Sequence, residues 1–224
     1  MTKSNIYTRI ENLFKVDVVQ IAKQYNYSEE NILILQNNVS KLKEKFPETY
    51  KIIEECRHRR DSRPAISFFQ DLICSWLFED IILKNIKKEG LNISLDGCSD
   101  RRIMSDREVS AESDFILQYN GLSKHIELVQ DYTGFWKREK LCDLRDNKVR
   151  KIKEQNAILL GIDMVHKEFF VCSSTNIENQ GEFVKNHPIF KKPAFRLKLE
   201  SFSFEKLTWA KVANKILSII DSGQ

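Results

Sequence analysis

The chain has 224 residues, 42% hydrophobic and 30% charged, the length and balance of one sizeable globular domain or of a domain with an appended subdomain. It is too apolar for wholesale disorder, it has no apolar run of the ~18 residues a transmembrane helix needs, and its polar start, MTKSNIYTRIENLFK, lacks a secretory h-region. A cytoplasmic protein with no membrane partner is expected. The excess of 36 Lys and Arg over 32 Asp and Glu, net +4, is too small to name a partner by itself.

In chain order, residues 8–24, 29–46 and 48–58 carry apolar side chains at three- and four-residue spacing and predict helices. Ser62-Arg63-Pro64 reads as a helix start, and 64–88 is a helix apolar on most of its circumference, stopped near Gly90. After Gly90 the period shortens. Residues 91–96, 111–119, 122–131, 157–163 and 168–173 predict strands, with one helix over about 139–154. Residues 174–193, polar and holding Pro188 and Pro193, read as a long loop, followed by a strand at 194–200 and a helix at 205–220. The expected class is α/β, an α+β mixed sheet with a helical N-terminal part. A helical subdomain over 1–63, for DNA recognition or dimerisation, would precede a core over 64–224. Cys56, Cys74, Cys98, Cys142 and Cys172 are scattered with no CxxC pair, so buried thiols are expected rather than disulfides or a zinc site.

The chemistry concentrates in SAESDFILQYNGLSKHIELVQD, Ser110 to Asp131. Asn120-Gly121 is a strong hairpin signal, because a type I′ turn needs positive φ at both central residues. With a two-residue loop, Asp114 falls opposite Glu127 and Glu112 opposite Val129. Side chains alternate along a strand, so the three carboxylates share one face. Phe115, Leu117, Tyr119, Ile126 and Leu128 form the other, apolar, face. Carboxylates facing each other across a ladder, with Cβ atoms roughly 5 Å apart, repel. A hard cation offsets that repulsion, and Mg²⁺ takes one or two carboxylates and fills its shell with waters and phosphate oxygens. The plainer alternative is an exposed polar face on an edge hairpin. His125 shares the face of Glu127. His58, His125, His166 and His187 show no HxH or HxxxH spacing, and no GxxxxGK[ST] or GxGxxG occurs, so no nucleotide cofactor is expected.

Helix 64–88, hairpin 111–131, helix 139–154 and strand 157–163, in that order, resemble the core of the PD-(D/E)XK nuclease superfamily, within it the type II restriction endonucleases. The resemblance covers roughly residues 64–173. Ser113-Asp114 stands for the family's Pro-Asp and Glu127 for its second acid, which implies Asp114 and Glu127 as Mg²⁺ ligands, with Glu112 as a further metal candidate. The family's lysine, two residues after the second acid, is replaced here by Val129. Gln130 could stand in if a bulge turns it, since plain alternation points it to the opposite face, as it does Lys124. Lys148 or Lys151 of the next helix could also have taken the role. The family often brings a glutamate from the preceding helix to its active site, which makes Glu79 a catalytic candidate; the alternative is that Glu79 or Asp80 pairs with an arginine.

Segment 137–153, KREKLCDLRDNKVRKIK, holds eight basic and three acidic residues. Lys137, Lys140, Lys148, Arg150 and Lys151 are expected to project outward as a surface for phosphates. Arg59, Arg60 and Arg63 before the long helix, and Arg101 and Arg102 before the hairpin, are further candidates for DNA contact. Phe135 and Trp136 are read as core. With these residues beside it, the resemblance implies a Mg²⁺-dependent, site-specific double-strand DNA endonuclease, leaving 5′-phosphates as the family usually does. A homodimer would match a palindromic site. A structure-specific nuclease of the same fold, an inactive DNA-binding relative and an acidic-edged adaptor are the rival readings.

Overall fold

A computed structural model describes residues 5–56, 64–96, 100–103, 113–188 and 190–223. The packing divides the chain into two units, Met1–Ile82 with Gly97–Glu112, and Leu83–Asp96 with Ser113–Gln224. The expected boundary at 63/64 falls beside residues outside the description, and the division lies within the long helix, after Ile82.

The N-terminal unit is helical. α1 (Asn5–Phe14) and α2 (Val18–Gln24) replace the single helix expected over 8–24. Lys15 turns left-handed at φ 58°, and Asp17 accepts a hydrogen bond from the Gln20 amide, a cap that starts α2 afresh. α3 (Glu29–Leu35) and α4 (Val39–Lys45) likewise split the run 29–46, at Asn37, whose φ is 55°, and at Asn38, which caps α4 through Lys41 N–H. The apolar periodicity carries across both breaks, which is why it reads as continuous. α5 (Pro47–Glu55) and α6 (Ala65–Lys88) follow, the latter contributing residues to both units. Ile10, Val18, Ile34, Leu42, Ile53, Ile73 and Leu77 are buried in this unit. None of the described helices is long and apolar enough to cross a membrane.

The second unit is α+β with a mixed sheet. Its strands are β1 (Asn92–Leu95), β2 (Phe115–Tyr119), β3 (Leu122–Asp131), β4 (Leu141–Arg145), β5 (Ile158–Asp163), β6 (Glu168–Cys172), β7 (Gly181–Val184), β8 (Ala194–Lys198) and β9 (Glu205–Lys206). The helices are α7 (Phe135–Glu139), α8 (Asp146–Glu154), α9 (Ser174–Gln180) and α10 (Trp209–Asp221). One sheet runs β1-β2-β3-β5-β6-β9, with only the β3–β5 pair parallel; the other runs β4-β8-β7 and is antiparallel. Asn120 and Gly121 both have positive φ, 49° and 76°, and Tyr119 pairs with Leu122 and Phe115 with Ile126, the register a two-residue turn dictates.

Two expectations are corrected here. The helix over 139–154 is a strand followed by a shorter helix. Leu141 and Leu144 stand three apart, as on a helix, but Cys142 and Leu144 are the buried pair, and the stretch is held extended by β8, with Cys142 opposite Leu197. The loop over 174–193 begins with α9, capped by Ser173 and Asn176 reciprocally, and continues into β7, paired to β8. A shared core joins the two sheets. Trp136, Cys142, Leu144, Val149, Ile152, Leu159, Phe170, Cys172, Ile177 and Leu197 form it, with Trp136 placed as core, as expected. Phe170 lies over Gly161 on the neighbouring strand, where any Cβ would collide with its ring.

Candidate active site

The carboxylates meet where β2 and β3 part. Their ladder runs from the turn to Phe115 and Ile126 and no further. Leu128, two residues on, still directs its N–H and C=O towards the strand that has ended, because both groups of one residue point the same way in a strand. Both find other partners. The N–H donates to Asp114 Oδ2 at 2.7 Å, and the C=O accepts from Lys148 Nζ at 2.9 Å. Ser113, fully buried, fixes the approach to β2 by donating from Oγ to Gln155 Oε1 at the end of α8, 2.6 Å away.

Glu127 is buried, its side chain 3% exposed, and it is met from α8 by two lysines. Lys148 and Lys151 stand three apart, so they share a face of the helix, while Val149 and Ile152 carry the adjacent face into the core. Lys148 Nζ lies 2.7 Å from Glu127 Oε2 and 3.4 Å from Asp114 Oδ2. Lys151 Nζ lies 2.6 Å from Glu127 Oε1, a charge contact rather than an aligned hydrogen bond. Burial opposes the charge on Lys148, but Asp114 and Glu127 outweigh it and raise its pKa above the ordinary lysine value. Three oxygens, two from carboxylates and one from a carbonyl, therefore converge on a single ammonium nitrogen. This is the oxygen set a hard cation takes. Among the described residues no three Asp, Glu, His or Cys side chains gather as a metal cluster, so the backbone oxygen is part of any such set.

The same face continues towards β1. Asp96 N–H donates to Asp114 C=O, so Asp96 sits opposite Asp114. Its Oδ2 lies 2.8 Å from His125 Nδ1. His125, two residues before Glu127, pairs with Ile116, so this contact crosses β2 beside Asp114. Asp96 and the Leu128 carbonyl escaped the sequence reading. The alternation of 91–96 places Asp96 at a strand end, but its pairing with β2 is a non-local fact.

The other expected site residues are distributed as follows. Gln130 does not join the carboxylates. It pairs with Ile162 at the position alternation assigns to the opposite face, and its buried Oε1 has no hydrogen-bond partner among the described residues. Glu79 pairs with Arg101 Nη1 at 2.8 Å in the N-terminal unit, and Asp80 with Arg101 Nη2 at 2.7 Å and with the Tyr27 hydroxyl. Arg101 is thus held in an ion-pair network, its side chain only 11% exposed, instead of projecting from a loop. Arg102 is exposed beside Asp100. Lys137, Lys140 and Arg150 are exposed, Arg150 over Asp146. Lys148 and Lys151, expected to project outward, turn in to the carboxylates because Glu127 is too deeply buried to stand without a counter-charge. Glu112, Arg59, Arg60 and Arg63 lie outside the described residues.

No protein-family model matches the chain, and no curated protein matches it.

Proposed function

We propose that the chain is a Mg²⁺-dependent double-strand DNA endonuclease on a PD-(D/E)XK, restriction-endonuclease-like core, of the type II kind, acting in the cytoplasm as a homodimer. The observation that carries this reading is the convergence of Asp114 Oδ2, Glu127 Oε2 and the Leu128 carbonyl on one cationic nitrogen. Asp114, Glu127 and the Leu128 carbonyl would hold the metal. A bound Mg²⁺ lowers the pKa of a water and stabilises charge developing on a phosphodiester. Lys148 supplies from α8 the lysine that Val129 does not. Its ammonium, raised in pKa and set among the carboxylates, holds a proton through neutral pH and can donate a hydrogen bond to a phosphate oxygen or to the attacking water. Lys151 holds Glu127 from its other oxygen. Lys137, Lys140, Arg102 and Arg150 are exposed cations suited to tracking phosphates.

The test is a digest of phage and plasmid DNA with purified protein, in Mg²⁺ and in EDTA, followed by sequencing of the ends. Discrete fragments with 5′-phosphates, in Mg²⁺ alone, are expected. Asp114→Ala, Glu127→Ala and Lys148→Ala should abolish cutting, and Asp114→Ala should still bind duplex in Ca²⁺. Cutting at the wild-type rate by either carboxylate variant refutes the site. Cleavage confined to four-way junctions or flaps would reassign the chain to structure-specific nucleases. A second reading, an inactive DNA-binding protein, draws on the full neutralisation of both carboxylates by lysines; DNA binding without cleavage of any of these substrates would select it.

A further inference from the structure

The two carboxylates of the site are matched by two ammoniums, Lys148 on both acids and Lys151 on Glu127. A divalent cation added to this set would leave two positive charges uncompensated beside a side chain that is 3% exposed. Uncompensated charge in such a place is strongly disfavoured. The nitrogen of Lys148 also lies within 3.4 Å of each of the three oxygens that would take the cation. Metal and ammonium therefore compete for the same oxygens.

We propose that Lys148 is an internal counter-ion that fills the cation cradle of the DNA-free protein and is exchanged for a divalent ion when a phosphodiester arrives to receive it. Metal and DNA then bind cooperatively. This rests on the metal-site reading given above and adds its order of assembly. The exchange is local. The lysine stem is four carbons long with rotatable bonds, and the Lys148 side chain is 26% exposed, so its head can leave the cradle without moving α8. Lys151 is the lesser competitor, since it meets Glu127 through Oε1, which is not one of the three oxygens that converge on Lys148. A DNA phosphate brings one negative charge, which lowers the excess from two positive charges to one, and its oxygens can accept a hydrogen bond from the displaced ammonium. By linkage, whatever factor DNA adds to metal affinity, metal adds to DNA affinity.

The experiment measures Mn²⁺ binding to the DNA-free protein by electron paramagnetic resonance, for the wild type and for Lys148→Met. Removal of the competing ammonium should tighten Mn²⁺ binding by about tenfold or more. A folded variant that binds Mn²⁺ no better than the wild type overturns the proposal. Should Lys148→Met not fold by circular dichroism, the wild type decides alone. Millimolar Ca²⁺, at fixed ionic strength, should tighten binding of a fluorescent mixed-sequence duplex by about tenfold relative to EDTA, and unchanged affinity overturns the proposal. Mn²⁺ taken up by no form of the protein, with or without duplex, removes the metal site and this inference with it. Tighter Mn²⁺ binding by the variant, without any DNA cleavage by the wild type in Mg²⁺, sustains the counter-ion exchange and removes only the nuclease.

Discussion

Replacing Glu127 by Gln keeps the shape of the side chain and removes the charge that two lysines share. In the wild type the ammoniums stand 2.7 and 2.6 Å from its oxygens. At an effective dielectric near 20, each contact carries about 6 kcal/mol of Coulomb attraction, a ceiling from which desolvation of all three groups is subtracted. Breaking a buried pair costs about 3–5 kcal/mol. Lys148 and Lys151 retain 26% and 20% exposure and can turn partly to water, so the lower end applies, about 3 kcal/mol. Lys151→Met alone leaves Glu127 with Lys148 and should cost about 1–2 kcal/mol. In the Glu127→Gln background the sign changes. Lys151 is then an uncompensated cation against an amide, and replacing it with Met should be neutral or stabilise by about 0.5 kcal/mol. The double-mutant cycle should therefore show a coupling of about 2 kcal/mol. Urea unfolding at neutral pH, without divalent ions, followed by tryptophan fluorescence and by far-ultraviolet circular dichroism, measures all four proteins. Additive effects within about 0.5 kcal/mol would refute the shared-charge account of Glu127.

Two further outcomes follow from the same unit. Asp114 and Glu127 raise the Lys148 pKa despite burial, so the folded state holds that proton more tightly than the unfolded chain. The stabilisation is complete below the ordinary lysine value of 10.5 and is lost as pH rises through the elevated folded value, so the urea midpoint of the wild type should fall faster above pH 10.5 than that of Lys148→Met; parallel curves would exclude the assignment. Gly161→Ala places a Cβ 2.1 Å from the Phe170 Cε1 carbon and should destabilise by about 2–3 kcal/mol in thermal or urea unfolding, and the added Phe170→Leu substitution should recover part of that loss; an unchanged midpoint for the single variant would mean that the ring has room to move.

Local signals made the hairpin legible. Asn120-Gly121 sets the turn, the turn sets the register, and alternation then puts Asp114 and Glu127 on one face. The breaks at Lys15 and Asn37 were less legible because capping residues and left-handed turns interrupt a helix without interrupting its apolar spacing. β4 and β7 were hidden for a different reason. Each is extended because β8 pairs with it, and neither segment carries a record of that partner, which lies some fifty residues from β4 and on the far side of a polar, proline-bearing connection from β7.

The lysines show how the two kinds of information combine. Their spacing in α8 says that Lys148 and Lys151 share a face, and their abundance near the hairpin suggests a basic surface. Only the parallel pairing of β3 with β5, which brackets α8, brings that face over Glu127. Once there, the electrostatics admit one arrangement. A buried carboxylate needs a counter-charge, the helix offers two, and the freed carbonyl of Leu128 fixes where the first of them rests. The Asp96–His125 pair, laid across β2 beside Asp114, closes the same face on the β1 side.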